Sequence, residues 1–328
     1  MLNIVFMGTP DFAKESLEAI FNTGHKILAV TTNIDKPKGR GMKMVASPVK
    51  EYAMEKGIQV FQPEKVKNNI EFIETIKDLK PDIIVVVAYG KILPKEILEI
   101  PKLGCINVHA SLLPKYRGAA PIQWTVINGE KETGITTMYM DIGMDTGDII
   151  LQEKTNVLEN ETTGELWNRL SEMGANLLVE TLKQIEENKA SRTKQGEEFT
   201  VAKMLNKEMA KINWKEQTAI QIKNLVRGLN PILGAYAIFK NSKIKFWKVD
   251  TITISEFINT FSEYKGFEYR FSDIEPGTVV YVSDKFGLYI KAKDEIISVL
   301  EIQGENSRKM NILEFLRGNK IEAIDSFE

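Results

Sequence analysis

Between Pro81 and Gly90 the chain reads Asp-Ile-Ile-Val-Val-Val-Ala-Tyr, with five consecutive β-branched apolar residues. A strand with one wet face alternates apolar and polar residues. An unbroken run of this kind is instead buried on both faces, as in a central parallel strand. Parallel strands need long crossovers, usually helices, so this run commits its neighbourhood to βαβ units.

The first half of the chain carries that alternation. Residues 3–7, 26–31, 58–61, 82–88 and 105–109 are strand-like. Helical patterns lie between them, including 11–21 and 69–79. Thr9-Pro10-Asp11 is expected to open the first helix with a cap, a first-turn proline and an early acid. The expectation is an α/β fold, a Rossmann-like doubly wound sheet, closed by a helix over 163–187. Ligands in such sheets bind beyond the carboxyl ends of the strands, so the loops after Met7, Ala88 and His109 are the places to look. Residues 188–199 are polar with charges of both signs, as a linker is. After about residue 200 a helix over 215–227 precedes strand-like runs at 236–240, 244–249, 277–282, 288–291 and 296–302, the pattern of a smaller β-barrel domain. The expected division is 1–188 for the first domain, 189–206 for a linker and 207–328 for the second.

Composition excludes several classes. Cys105 is the only cysteine, so no intramolecular disulfide forms and a reducing compartment, the cytoplasm, is expected. One cysteine and two histidines leave few ligands for zinc. The start, Met1 to Gly8, lacks the basic and apolar regions of a signal peptide, and the longest apolar run, 83–88, is too short to span a bilayer. Gly8-Thr9-Pro10-Asp11 lacks the second and third glycines of a dinucleotide fingerprint, and Asp11 repels a pyrophosphate at that helix terminus. No Walker-type phosphate loop is present either. Neither NAD, ATP nor a metal is expected.

Asn107 and His109 lie two apart on a strand and share one face. With Asp145, in the turn-rich run Asp141-Ile142-Gly143-Met144-Asp145-Thr146-Gly147-Asp148, they supply an amide donor, an acid/base and a carboxylate to orient it. Spacing alone leaves each open to a plainer role. A lone histidine at a strand end is more often structural, Asn107 and Asp145 suit turns, and Cys105 suits the core. Charge adds a second clue. Asp35 to Lys43 is a glycine-rich, flexible basic loop, and from Lys203 to Lys248 there are ten positive residues and two negative ones, which suits a phosphate backbone although the net charge of the chain is only −2.

The run Asn107-Val-His-Ala-Ser-Leu-Leu-Pro-Lys-Tyr-Arg-Gly118 resembles the signature of formyltransferases that use 10-formyltetrahydrofolate. Gly8-Thr9-Pro10-Asp11-Phe12-Ala13, Gly39-Arg40-Gly41, Ser47-Pro48-Val49-Lys50, Val86 through Pro94, Gly118 through Ile122, Asp145-Thr146-Gly147-Asp148, Ala202-Lys203-Met204 and Ile212-Asn213-Trp214 extend the resemblance over most of the chain and narrow it to the methionyl-tRNA formyltransferase family. That resemblance implies catalytic roles for Asn107, His109 and Asp145. It implies a folate site lined by Ser111, Leu112, Leu113 and Pro114 with Tyr89 and Gly90. It further implies tRNA contacts from Lys38, Arg40 and Lys43 and from Lys203 and Lys207, and an OB-like barrel for the C-terminal domain. Initiator methionyl-tRNA and 10-formyltetrahydrofolate are the implied substrates, used by a bacterial-type cytoplasmic enzyme expected to be a monomer. One departure is visible: Asn230-Pro231-Ile232-Leu233-Gly234 lacks the aromatic and second proline common in that family after Asn-Pro. Sugar-nucleotide and purine-ribonucleotide formyltransferases are the neighbouring readings, and a catalytically silent RNA-binding protein is the reading from another class.

Overall fold

The computed structural model describes residues 1–38, 43–266 and 268–328. The chain divides into two compact units, Met1–Ile122 with Glu132–Asn156 and Glu165–Met204, and Gln123–Lys131 with Val157–Gly164 and Leu205–Glu328.

In the first unit β1 (Asn3–Gly8), α1 (Asp11–Asn22), β2 (Lys26–Thr31), β3 (Lys36–Lys38), β4 (Lys43–Val45), α2 (Pro48–Glu55), β5 (Val60–Phe61), α3 (Ile70–Asp78), β6 (Ile83–Val87), α4 (Lys95–Leu98) and β7 (Cys105–His109) follow one another. Then come β8 (Arg117–Gly118), α5 (Pro121–Ile127, whose residues from Gln123 belong to the second unit), β9 (Glu132–Tyr139), β10 (Ile149–Asn156), α6 (Thr163–Glu186, whose first two residues belong to the second unit) and β11 (Val201–Ala202). Among the described residues seven strands form one sheet in the order β10-β9-β7-β6-β1-β2-β5. Strands β5, β2, β1, β6 and β7 are mutually parallel, while β9 runs antiparallel to β7 and β10 antiparallel to β9. This is the mostly parallel, Rossmann-like sheet that the Ile83–Val87 run demands, and every residue of that strand is buried. Full burial of such a side chain contributes about 1.5–3 kcal/mol, so this strand anchors the sheet.

The switch point lies between β1 and β6, because the chain moves outward through β2 and β5 before returning to β1's other side. Gly8 pairs with Val87, and Val87 with Val108. Thr9, Ala88 and His109 therefore end three adjacent strands at one edge.

Two local expectations change. Thr9 does not cap α1: Pro10 occupies the cap position without a side-chain bond, because the Thr9 hydroxyl accepts from Asn33 Nδ2 at 3.0 Å. The basic segment, expected as a loop, carries an antiparallel strand pair on either side of residues 39–42, Lys36 with Val45 and Lys38 with Lys43.

The second unit is a smaller antiparallel domain. Helix α7 (Ala219–Gly228) starts at Ala219, later than its apolar spacing suggests, because Thr218 and Gln221 form a capping box there. After it come β12 (Ala235–Phe239), β13 (Ser242–Ile252), α8 (Ile254–Thr260), β14 (Val279–Ser283), β15 (Gly287–Lys291), β16 (Ile296–Gln303), β17 (Met310–Asn311) and α9 (Ile312–Gly318). The sheet order is β12-β13-β16-β15-β14 with β17 on β16, and among the described residues no ladder joins β12 to β14 to close a barrel. Trp214, Phe246 and Phe327 lie in its core with Ile222 and Leu288. At the departure after Asn230-Pro231, Asn230 Nδ2 donates to the Trp247 carbonyl of β13 at 2.9 Å, and Gly234 lies so close that a Cβ there falls 2.9 Å from the Trp247 ring.

Candidate active site

Two of the three strand ends of the first unit, those of β1 and β6, are tied by a residue that the sequence reading missed. Asn33, just after β2, donates through Nδ2 to Thr9 Oγ1 at 3.0 Å and to the Tyr89 carbonyl at 2.9 Å. One side chain thereby fixes the loops after β1 and β6. The Tyr89 ring is buried, 1% exposed, in the cluster with Val5, Met7, Ile84 and Val86, and burial pushes its hydroxyl's pKa well above the usual tyrosine value. Gly90 beside it is exposed with φ +76°, a conformation that glycine adopts without strain.

On β7, His109 is 7% exposed. Its Nε2 lies 2.9 Å from the Tyr116 carbonyl, and a carbonyl only accepts, so this nitrogen carries a proton. Its Nδ1 lies 3.7 Å from Asp145 Oδ2. The Asp145 carboxylate is itself held: Oδ2 accepts from the Gly118 N–H at 2.7 Å. Asp145 has φ +55°, a left-handed backbone that non-glycine residues seldom adopt. The β9–β10 connection leaves the sheet where Met140 N–H donates to the Cys105 carbonyl, and it folds back to bring Asp145 to His109. The third residue, Asn107, shares the His109 face by strand alternation. Among the described residues its amide makes no hydrogen bond, and its Oδ1 is sealed from solvent. His109 and Asp145 thus come together as a buried imidazole beside a fixed carboxylate, with the Asn107 amide on the same face of the strand. Together they can polarise a carbonyl and move a proton at Nδ1.

The following loop is built from β9 and β10. Thr136 Oγ1 donates to the Ser111 carbonyl at 2.7 Å and accepts from Leu113 N–H at 3.1 Å, and Gln152 Nε2 donates to the Leu113 carbonyl at 2.8 Å. Ser111 Oγ donates to the Lys115 carbonyl at 2.6 Å. Ser111 and Leu113 are buried and their polar groups are spent inside the loop, whereas Leu112 and Pro114 remain half-buried.

Residues 189–206, read as a linker, behave differently up to Ala202. Thr193 exchanges backbone bonds with Ile149 at 2.8 and 3.0 Å. Thr200 Oγ1 accepts from Tyr116 N–H at 2.8 Å, and β11 pairs with β8 in parallel. This segment is a strap that binds the Tyr116–Gly118 and Asp145–Ile149 loops into one unit, and the separation of its partners in sequence hid it.

Of the basic residues, Lys38 and Lys43 lie in the β3–β4 pair and Arg40 lies outside the described residues. Lys203 and Lys207 are exposed. The charge sum over 203–248 overstates a basic face. Lys223 and Arg227 are buried, Lys223 against Asp250 at 2.8 Å and Arg227 on Asn224 and the Glu161 carbonyl. Lys50, in the loop's other flank, pairs with Asp35 at 2.7 Å, and with the Gln62 amide it holds the Asp35 carboxyl below its usual range. Among the described residues no group of three or more His, Cys, Asp or Glu is arranged to hold a metal ion, and no helix is long and apolar enough to cross a membrane.

The class is that of the formyl transferases. The family model described as formyl transferase matches residues 2–182, and that of the formyl transferase C-terminal domain matches residues 204–320. The chain belongs to the methionyl-tRNA formyltransferase family. It is 49% identical over 321 residues to the methionyl-tRNA formyltransferase of Caldanaerobacter subterraneus subsp. tengcongensis, covering 98% of both chains. It is likewise 49% identical over 322 residues to that of Clostridioides difficile, again covering 98% of both. Among solved structures its fold is similar to an N-formyltransferase from Helicobacter canadensis (TM-score 0.61, 22% identity, 91% of this chain and 99% of that one). It is similar also to HypX from Aquifex aeolicus in complex with tetrahydrofolic acid (TM-score 0.63, 16% identity, all of this chain and 50% of that one).

Proposed function

We propose that the chain transfers the formyl group of 10-formyltetrahydrofolate to the free α-amine of methionyl initiator tRNA, giving formylmethionyl-tRNA for translation initiation. Family membership supports the reaction, and one observation carries the site assignment: a buried His109 held at Nε2 by the Tyr116 carbonyl, with its Nδ1 facing the Asp145 carboxylate at 3.7 Å, on the strand face it shares with Asn107. The amine needs little activation, since α-amino groups titrate at about 7.7–8.0. Its nitrogen attacks the formyl carbon, the carbonyl electron pair moves to oxygen, and the tetrahedral centre collapses by breaking the bond to N10. The proton lost by the amine ends on N10. Asn107 donates to the developing oxyanion, a role whose loss typically costs roughly 10²–10³ in rate. Held at Nε2 by Tyr116, His109 assists at the oxyanion or relays the proton through Nδ1, and Asp145 orients it and offsets its charge. The transfer is redox-neutral and moves no phosphoryl group, so it asks nothing of NAD or ATP.

The donor's pterin end lies along Ser111–Pro114 and the Tyr89–Gly90 backbone in this reading, with Leu112 and Pro114 giving the apolar contact. Lys38, Arg40, Lys43, Lys203 and Lys207 meet tRNA phosphates. The second unit is OB-like, its sheet bent where the β13 register shifts between Phe246 and Val249, and it shares the tRNA contact. The enzyme works in the cytoplasm as a monomer, with Cys105 kept as a buried free thiol.

Radiolabelled formyl transfer tests the substrates. Initiator methionyl-tRNA is formylated far faster than elongator methionyl-tRNA, and a 3-aminosugar nucleotide is not used. Comparable kcat/KM with the aminosugar nucleotide overturns the reading.

A further inference from the structure

We infer that Gln195 is a positioning residue that sets where the Asp145 carboxylate stands beside His109. This rests on the proposed role of Asp145. The Gln195 amide is fully used at one place. Nε2 donates to the Asp145 carbonyl at 2.9 Å and the Gly147 carbonyl at 2.8 Å, while Oε1 accepts from Arg117 Nε at 3.0 Å and Nη2 at 2.7 Å. The two ends of that amide therefore hold the two sides of the carboxylate's seat. On one side is the backbone of Asp145 itself, kept at φ +55°. On the other is Arg117, next to the Gly118 N–H that binds Asp145 Oδ2 at 2.7 Å. A left-handed non-glycine residue persists only where its surroundings over-determine it, and here Gln195 grips its carbonyl and the carbonyl two residues on.

Gln195 is itself held firmly. The Thr193–Ile149 pair fixes the strap before it, and the Thr200 and Ala202 bonds fix it after. The Arg117 guanidinium also stacks on Phe199 of the same strap, 4.6 Å from the ring centroid. Side-chain locking of this kind is what keeps a catalytic group within a fraction of an ångström of its working position.

The test is a double-mutant cycle in formyl transfer to methionyl-tRNA, with Gln195→Ala, Asp145→Asn and the double variant. Gln195→Ala lowers kcat by about 10–100-fold, the scale of a small misplacement, with donor KM within about threefold. In the Asp145→Asn background the same change costs less than about threefold more, because its effect is already lost. Gln195→Glu falls as far as Gln195→Ala: it keeps Arg117 but sets a carboxylate oxygen against two carbonyls. It also serves as the second variant if the alanine form does not fold. A further readout is independent of turnover. With His25→Gln, His109 is the only imidazole, and Gln195→Ala moves its NMR ring signals toward those of Asp145→Asn. Equal costs in both backgrounds, wild-type kinetics in Gln195→Ala, or unmoved His109 signals overturn the inference. A wild-type rate in Asp145→Asn instead overturns the reading of Asp145 and takes this inference with it. An impaired Asp145→Asn beside an unimpaired Gln195→Ala removes only the inference.

Discussion

In the proposed site, the role given to Asn107 opposes stability. A buried polar atom without a partner costs about 1–3 kcal/mol, so the fold alone does not favour its Oδ1. Asn107→Leu, of similar volume, is expected to leave the urea unfolding midpoint unchanged or raised while kcat falls by roughly 10²–10³. A destabilised variant with intact kcat contradicts the assignment. Cys105, close by on the same strand, behaves in the opposite way. Burial pushes its thiol up to about 12 from 9.0, so the thiolate does not form near neutral pH. Folded protein is expected to resist iodoacetamide, and urea-unfolded protein to take up one equivalent per chain. The raised value also sets a pH trend. Below about pH 9 both folded and unfolded thiols are protonated; above it the unfolded thiol ionises while the buried one does not, so stability falls as pH rises toward 12. The Tyr89 hydroxyl, raised by burial as well, adds in the same direction.

Among the elements, the strap over residues 190–202 matters most to the site. Removing the Thr200 hydroxyl leaves Tyr116 N–H without the acceptor now at 2.8 Å. Thr200→Val is therefore expected to lower unfolding free energy by about 1–3 kcal/mol, measured by urea denaturation. A change within experimental error argues against the strap. The five parallel strands were legible beforehand because burial writes itself into composition. Ile83–Val87 is apolar throughout, and the strand at Cys105–His109 matches its expected bounds. The strap was not legible. It has no hydrophobic period, and its bonds, from backbone and single polar side chains alike, reach partners as far as 84 residues away. Asn33 escaped for the same reason, its partners Thr9 and Tyr89 lying 24 and 56 residues off. Asn107 and His109 were legible as a pair through strand alternation, but the meeting of His109 with Asp145 depends on a left-handed residue and a returning loop that no spacing encodes.

At the scale of the whole molecule, charge placement decides more than charge total. With a net charge of −2, tRNA binding has to come from particular cations, and burial of Lys223 and Arg227 removes two from those the sequence offers after residue 200. Binding through phosphates predicts that kcat/KM for tRNA falls with rising salt. Arg40→Ala is expected to lower that kcat/KM, leave donor binding unchanged, and flatten the salt slope by about one charge. An unaltered slope and affinity count against a phosphate contact at Arg40. The central claim is that Asn107, His109 and Asp145 together carry formyl transfer, and single-turnover kinetics of His109→Ala with saturating donor and initiator methionyl-tRNA tests it most directly. The account predicts a transfer rate lower by roughly 10²–10⁴ in a protein whose circular dichroism shows that it is folded. A folded His109→Ala that transfers formyl at near the wild-type rate contradicts it.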